Sequence, residues 1–185
     1  MRRWLYAGGT RQDRLRDPDR VVAALKVAPG DRVADIGSGV GHFTLRLADA
    51  VAPGGVVYAV DADRSGLDDL RRAAVQRGLV TLRPVPVDRD RLILPESVDL
   101  LFVSATYHHL ADQVGYFSAA RSFLRPHGRL AILESRGEGL LARWLGRHAT
   151  PPRRIREQMR RAGFALITKH DLVHGYWFGV FGVRP

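Results

Sequence analysis

Glycines and acids gather at the ends of short apolar runs in this chain. The densest group is Val33-Ala34-Asp35-Ile36-Gly37-Ser38-Gly39-Val40-Gly41-His42-Phe43. It reads as a strand, an acid at the strand's end, a three-glycine turn and a helix from Thr44 to Val51. Glycines at alternate positions let the backbone turn sharply and approach a ligand with no Cβ in the way. The helix that follows opens with free N–H groups. The spacing restricts the ligand. A dinucleotide fingerprint counted from Gly37 needs its third glycine at position 42, where His42 stands. A P-loop needs Gly-Lys-Ser/Thr, which does not follow.

Three further strand ends carry polar side chains. Asp61 closes the run from Val56 to Val60 and lies 20 residues past Gly41. An acid there can accept both hydroxyls of a ribose, as in dinucleotide folds. Asp63, two residues on, reads as a solvated loop acid. Val87-Asp88-Arg89 follows the run from Leu79 to Val87. Ser104-Ala105-Thr106-Tyr107-His108-His109-Leu110 follows the nearly continuous run from Val98 to Val103. Imidazole titrates near neutrality, so His108 or His109 could take a proton from a reacting group. The other reading packs one ring against a pocket and leaves the second to solvent.

These groups need a scaffold that brings strand ends together. Helical and strand-like patterns alternate along the chain, which argues an α/β fold with a mainly parallel sheet. Asp17-Pro18-Asp19 starts a helix through Val21, Val22 and Leu25 that stops before Pro29-Gly30. Arg32 to Ile36 is the first strand and Val56 to Val60 the second. Ser65 is expected to cap the helix carrying Leu67, Leu70, Ala73 and Ala74. The third strand, Leu79 to Val87, holds Pro84 and Pro86, which suits a sheet edge. A helix is expected over 112–124, and a fifth strand, Arg129 to Leu133, after a Pro126-His127-Gly128 turn. Pro152 to Ala162 reads as a basic helix. Phe164 to Lys169 and Trp177 to Val183 read as a closing hairpin, so one of the two strands runs antiparallel to the rest. Ligands of such sheets sit at the C-terminal strand ends, near the point where strand order reverses.

Asp-x-Gly-x-Gly-x-Gly at Asp35–Gly41, with Tyr58-Ala59-Val60-Asp61 after it, resembles the first two motifs of class I S-adenosylmethionine (SAM) methyltransferases. The His108-His109-Leu110 stretch and Leu124-Arg125-Pro126-His127-Gly128-Arg129-Leu130 are similar to the small UbiE-like group, in which the usual turn is Pro-Gly-Gly. The resemblance covers roughly residues 18 to 183. It implies a Rossmann-like seven-stranded sheet of order 3-2-1-4-5-7-6, with the last strand antiparallel and helices on both faces, in a single domain over 1–185. It implies SAM as cofactor. Gly37, Ser38, Gly39 and Gly41 would wrap its methionine part, and Asp35 would balance its amino group. Asp61 and Ala62 would hold the ribose, Asp88 and Arg89 would meet the adenine, and Ser104 would stand where acceptor and methyl donor meet. Residues 1–17 are expected to vary, with Tyr6 as a lid residue. Amine-directed nucleic-acid enzymes carry Asn/Asp-Pro-Pro-Tyr after the fourth strand, and RNA ribose methyltransferases need two lysines in a tetrad. This chain has Ser-Ala-Thr-Tyr, and its only lysines are Lys26 and Lys169, the first of them ahead of the cofactor loop. Catechol-type enzymes place a magnesium-binding acid where Ser104 stands, so a metal-independent reaction is expected.

Composition narrows the rest. A chain of 185 residues that is 45% hydrophobic suits one well-buried domain. It contains no cysteine, which rules out thiol chemistry and disulfides. No apolar run approaches a membrane span, and the first residues lack the apolar region of a secretory signal, so a cytoplasmic enzyme is expected. The net charge is +10, carried by 29 basic residues of which all but two are arginine. An anionic partner is one reading and a solvated arginine-rich surface the other. Seven arginines and a single acid fall between Arg143 and Arg161. That region supports the alternative of an RNA-binding protein or RNA methyltransferase. Its first part, Gly139 to Arg147, mixes Leu and Trp with Arg, as interfacial segments or lids over apolar substrates do. A small-molecule acceptor is favoured, and the oligomeric state is not readable.

Overall fold

The apolar runs assemble into one twisted sheet in the computed structural model, which describes residues 17–88, 90–136 and 150–184. The strands are β1 (Arg32–Ile36), β2 (Val56–Asp61), β3 (Leu82–Pro86), β4 (Val98–Ser104), β5 (Leu124–Ser135), β6 (Phe164–His170) and β7 (Tyr176–Val183). Their order is β3-β2-β1-β4-β5-β7-β6, as the sequence predicts. β7 runs antiparallel to both of its neighbours, and the other pairings are parallel. The helices are α1 (Pro18–Leu25), α2 (Thr44–Ala50), α3 (Arg64–Gln76), α4 (Gln113–Ala120) and α5 (Pro152–Arg161).

Alternate residues of β1, β2, β4 and β5 feed two cores, one per face. Ala34, Ile36, Tyr58, Val60, Leu101, Val103, Leu130 and Ile132 face Phe117 and Ala120 of α4 and Ile155 and Met159 of α5. Val33, Val57, Ala59, Leu100, Phe102, Ala131 and Leu133 face α1, α2 and α3. Both faces are covered, which is why β1, β2 and β4 read as continuous apolar runs. Each large side chain buried in this way contributes about 1.5–3 kcal/mol. No helix among the described residues is long and apolar enough to cross a membrane.

Four local expectations are corrected. The helix α3 is capped by Asp63, whose side chain accepts from the Ser65 N–H at 3.0 Å, and not by Ser65. An Asp two residues earlier outcompetes Ser because its carboxylate reaches the first free N–H groups. The third strand starts at Leu82, since Leu79 N–H still donates back to Ala74 and ends the helix. The helix expected over 112–124 is capped by Asp112 on Gly115 N–H and stops at Ala120; a 3-10 turn takes Arg121–Phe123. The fifth strand begins at Leu124, not Arg129. Leu124 pairs with Val98 and Arg129 with Leu100, so Pro126-His127-Gly128 bulges out of the strand, with His127 at φ 67°. Tyr6, the rest of 1–16 and the 139–147 segment lie outside the described residues, as do Arg143, Arg147 and Arg89.

Candidate active site

The glycine loop is fastened to the end of β2. Gly37 and Ser38 both donate to the Val60 carbonyl, at 2.8 and 3.2 Å. Asp61 takes the Gly39 N–H at 2.7 Å on one oxygen and the Asp63 N–H at 2.9 Å on the other. All three loop glycines have positive φ, which explains the residue type. A Cβ on Gly37 would overlap the Thr106 side chain, and one on Gly41 would overlap Leu70. A Cβ on Gly39 would meet nothing, so open space lies beside the loop there.

A cavity of about 420 Å³ opens at the C-terminal ends of β1, β2 and β4. This lies within the roughly 300–1,000 Å³ of small-molecule sites. Ile36 and Gly37 come from the first loop, and Val60 to Asp63 from the second strand end. Val87 stands opposite, and Thr106, His109, Leu110 and Tyr116 close the far side. The donor set is thus a carboxylate, loop backbone and an apolar wall, which fits a nucleoside with a polar ribose edge.

Asp35 lies behind this wall. It is 2% exposed, and its carboxylate accepts the Thr44 hydroxyl at 2.6 Å. Burial pushes its pKa up to about 7; the Thr44 hydrogen bond opposes the rise and the nearby Asp61 charge adds to it. A buried acid that resists ionisation gains from a cation brought beside it.

At the end of β4 the chain is strained. Ala105 has φ 52°, and its N–H donates to the Leu133 carbonyl at 2.9 Å. A non-glycine residue in that region marks a strand end held by its surroundings. A 3-10 turn, Tyr107–His109, follows at once. His109 lines the cavity, and its ring centroid lies 4.0 Å from that of His108. His108 turns to β5, where its Nδ1 is 3.0 Å from Oε1 of the fully buried Glu134. Tyr107 runs the other way and donates to Gln158 of α5 at 2.9 Å; Gln158 in turn donates to Gln113 at 3.0 Å.

The structure therefore brings Gly37, Asp61, Ala62 and His109 to one cavity, with Gly39 bonded to Asp61. Asp35, Ser38 and Ser104 are buried beside it, and the Ser38 and Ser104 hydroxyls have no partner among the described residues. Gly41 packs on α3. Asp88 is exposed and is not among the described residues lining the cavity. Thr106 and Leu110 lie in the stretch after β4 that the sequence singles out, though without a role of their own, and Tyr116 and Glu134 carry no expectation from sequence. Glu134 had a usable signal, since it ends an apolar strand just as Asp61 does. Tyr116, on a helix face, had none.

Comparison with known proteins agrees with this geometry. A family model described as a methyltransferase domain matches residues 34–132. The chain is 31% identical over 116 residues to an uncharacterized 37.1 kDa protein of a Streptomyces fradiae transposon, covering 60% of this chain and 32% of that protein. It is 29% identical over 114 residues to the ubiquinone/menaquinone biosynthesis C-methyltransferase UbiE of Burkholderia mallei, covering 61% of this chain and 46% of that one. The chain thus matches less than half the length of these curated relatives. A SAM-dependent methyltransferase from Aquifex aeolicus shares the fold at a TM-score of 0.76 and 24% identity, over 92% of this chain and 90% of that one.

Proposed function

This chain belongs to the class I SAM-dependent methyltransferases, and from that premise we propose that it transfers a methyl group from SAM to a small-molecule acceptor without a metal. The observation that carries the reading is Asp61 and Gly37 at one cavity, with the Gly39 N–H bound to Asp61. Asp61 would hold the ribose hydroxyls with Ala62 beside it. Gly37, Ser38, Gly39 and Gly41 would shape the loop around the methionine part, and Asp35 would face its amino group. Asp88 and Arg89 would reach the adenine, and Ser104 would border the reacting end. SAM supplies a sulfonium-bound methyl group. The protein's share is to align the acceptor, exclude water and hold any proton released. His108 and His109 are the groups that would take up such a proton. The Ser-Ala-Thr-Tyr stretch after β4, in place of Asn/Asp-Pro-Pro-Tyr, supports a small organic acceptor over a nucleic-acid amine.

Calorimetric titration with SAM and with S-adenosylhomocysteine tests the reading, with Asp61→Ala alongside. Hydrogen bonds to a charged group are worth about 1.5–3 kcal/mol, so affinity should fall by at least about tenfold in the variant. Folded wild-type protein that binds neither ligand would sink the proposal.

A further inference from the structure

Glu134 is fully buried at the C-terminal end of β5, beside the strained turn that carries both histidines. One of its oxygens, Oε1, already accepts the Ser135 N–H at 3.0 Å, and the same oxygen faces His108 Nδ1 at 3.0 Å. An oxygen taking one N–H in this way acts as an acceptor toward the ring as well, so Nδ1 carries the hydrogen. Neutral imidazole has one N–H, so Nε2 is left bare. The second oxygen, Oε2, is buried and has no hydrogen-bond partner among the described residues. Removing a carboxylate oxygen from water without a partner is costly, and such a cost beside the histidine turn points to use rather than packing. His109 has a different place: it lines the cavity, its ring tilted 46° against that of His108 with the centroids 4.0 Å apart.

We propose that Glu134 is a positioning residue that fixes His108 as the proton acceptor of the transfer, leaving His109 as cavity wall. The inference rests on the methyltransferase reading above and narrows it, because it separates the two histidines. It also sets the acceptor class: a group with a hydrogen on the attacking atom, such as a hydroxyl or an amine. As that atom forms its bond to the methyl carbon, the carbon–sulfur bond breaks with its electron pair returning to sulfur. The hydrogen passes as a proton to His108 Nε2, and Glu134 faces the imidazolium that results.

The test is a long-range proton–nitrogen correlation spectrum of the histidine rings at pH 8, with the His108 signals assigned from His108→Asn. Glu134→Leu and Glu134→Gln are recorded beside the wild type, each checked for folding by circular dichroism, and each titrated with S-adenosylhomocysteine. In the wild type, His108 should show Nδ1–H with bare Nε2. Glu134→Leu, which keeps the volume and removes the acceptor, should move the tautomer ratio at least fivefold toward Nε2–H. Glu134→Gln, which offers both an amide donor and a carbonyl, should move it in the same direction, and it suffices if the Leu variant does not fold. Binding of S-adenosylhomocysteine should stay within twofold in both. A wild-type His108 carrying its hydrogen on Nε2, or a ratio unmoved by both substitutions, overturns the inference while leaving the cofactor reading intact. Wild-type protein that binds no S-adenosylhomocysteine sinks the proposed function and this inference with it.

Discussion

Asp35 holds one proton that links the fold to pH and, under the proposed function, would link it to the cofactor. Its pKa in the folded protein is about 7, against an ordinary 3.8, and it is fully buried. The folded state therefore holds this proton more tightly than the unfolded chain does. Stability from this group is complete below about pH 4, falls as pH rises toward 7, and is flat above. The fall is on the order of 4 kcal/mol at 1.36 kcal/mol per pH unit. Asp35→Asn keeps the Thr44 hydrogen bond and removes the ionisation. Urea denaturation should find it more stable than the wild type by a few kcal/mol at pH 8 and equal to it near pH 4, while calorimetry finds weaker SAM binding. If the ammonium of SAM comes to lie beside Asp35, as proposed, it would favour the ionised acid. SAM binding at pH 6 should release up to one proton, measured as a binding enthalpy that changes with the ionisation enthalpy of the buffer. An enthalpy independent of buffer would place the ammonium away from Asp35.

At the scale of elements, loop and turn lock each other. Gly37, at φ 74°, leaves room for Thr106 of the turn after β4. Gly37→Ala meets both the backbone cost and the Thr106 side chain, so it should lose about 1–3 kcal/mol of stability and most cofactor affinity. Adding Thr106→Ala removes the overlap but not the strain, so thermal melts of the double variant should recover part of the loss and no more. Tyr107→Phe breaks the link to Gln158 on α5 and should cost about 1 kcal/mol in denaturant unfolding. The sequence made the glycine loop and Asp61 legible, because both depend on local spacing. Gly37 also announces its conformation through its residue type. The Thr106 contact joins residues 37 and 106, and nothing in either local pattern encodes it. The same holds for Glu134 and His108, which meet only because β4 and β5 are neighbours. Helix ends and the strand from Leu124 were misread where a cap or a bulge, rather than periodicity, set the boundary.

Across the whole molecule, alternating patterns and a terminal hairpin argued a mainly parallel sheet with one antiparallel strand; the full strand order came from the resemblance to class I methyltransferases. The charge of +10 was less informative. Arg153, Arg154, Arg156, Arg160 and Arg161 are all exposed on α5, and Arg160 pairs with Glu157 at 2.8 Å. A solvated basic face binds RNA only by counterion release. A short single-stranded RNA should therefore bind more weakly than about 10⁻⁶ M at physiological salt, with affinity falling steeply as salt rises. A nanomolar complex that survives high salt would restore RNA as the acceptor. The insertion of β7 between β5 and β6 has a further consequence, one that concerns synthesis. On the edge away from β4, Arg129 to Ser135 pair with Tyr176 to Gly182. A chain emerging from the ribosome can pair β1 to β5 early, but the open side of β5 stays unpaired until residue 183 is free. During that interval a long apolar strand edge is exposed to other nascent chains. Nascent chains stalled after Lys169 should be cut readily by protease and captured by chaperones, whereas chains released past Val183 should resist both.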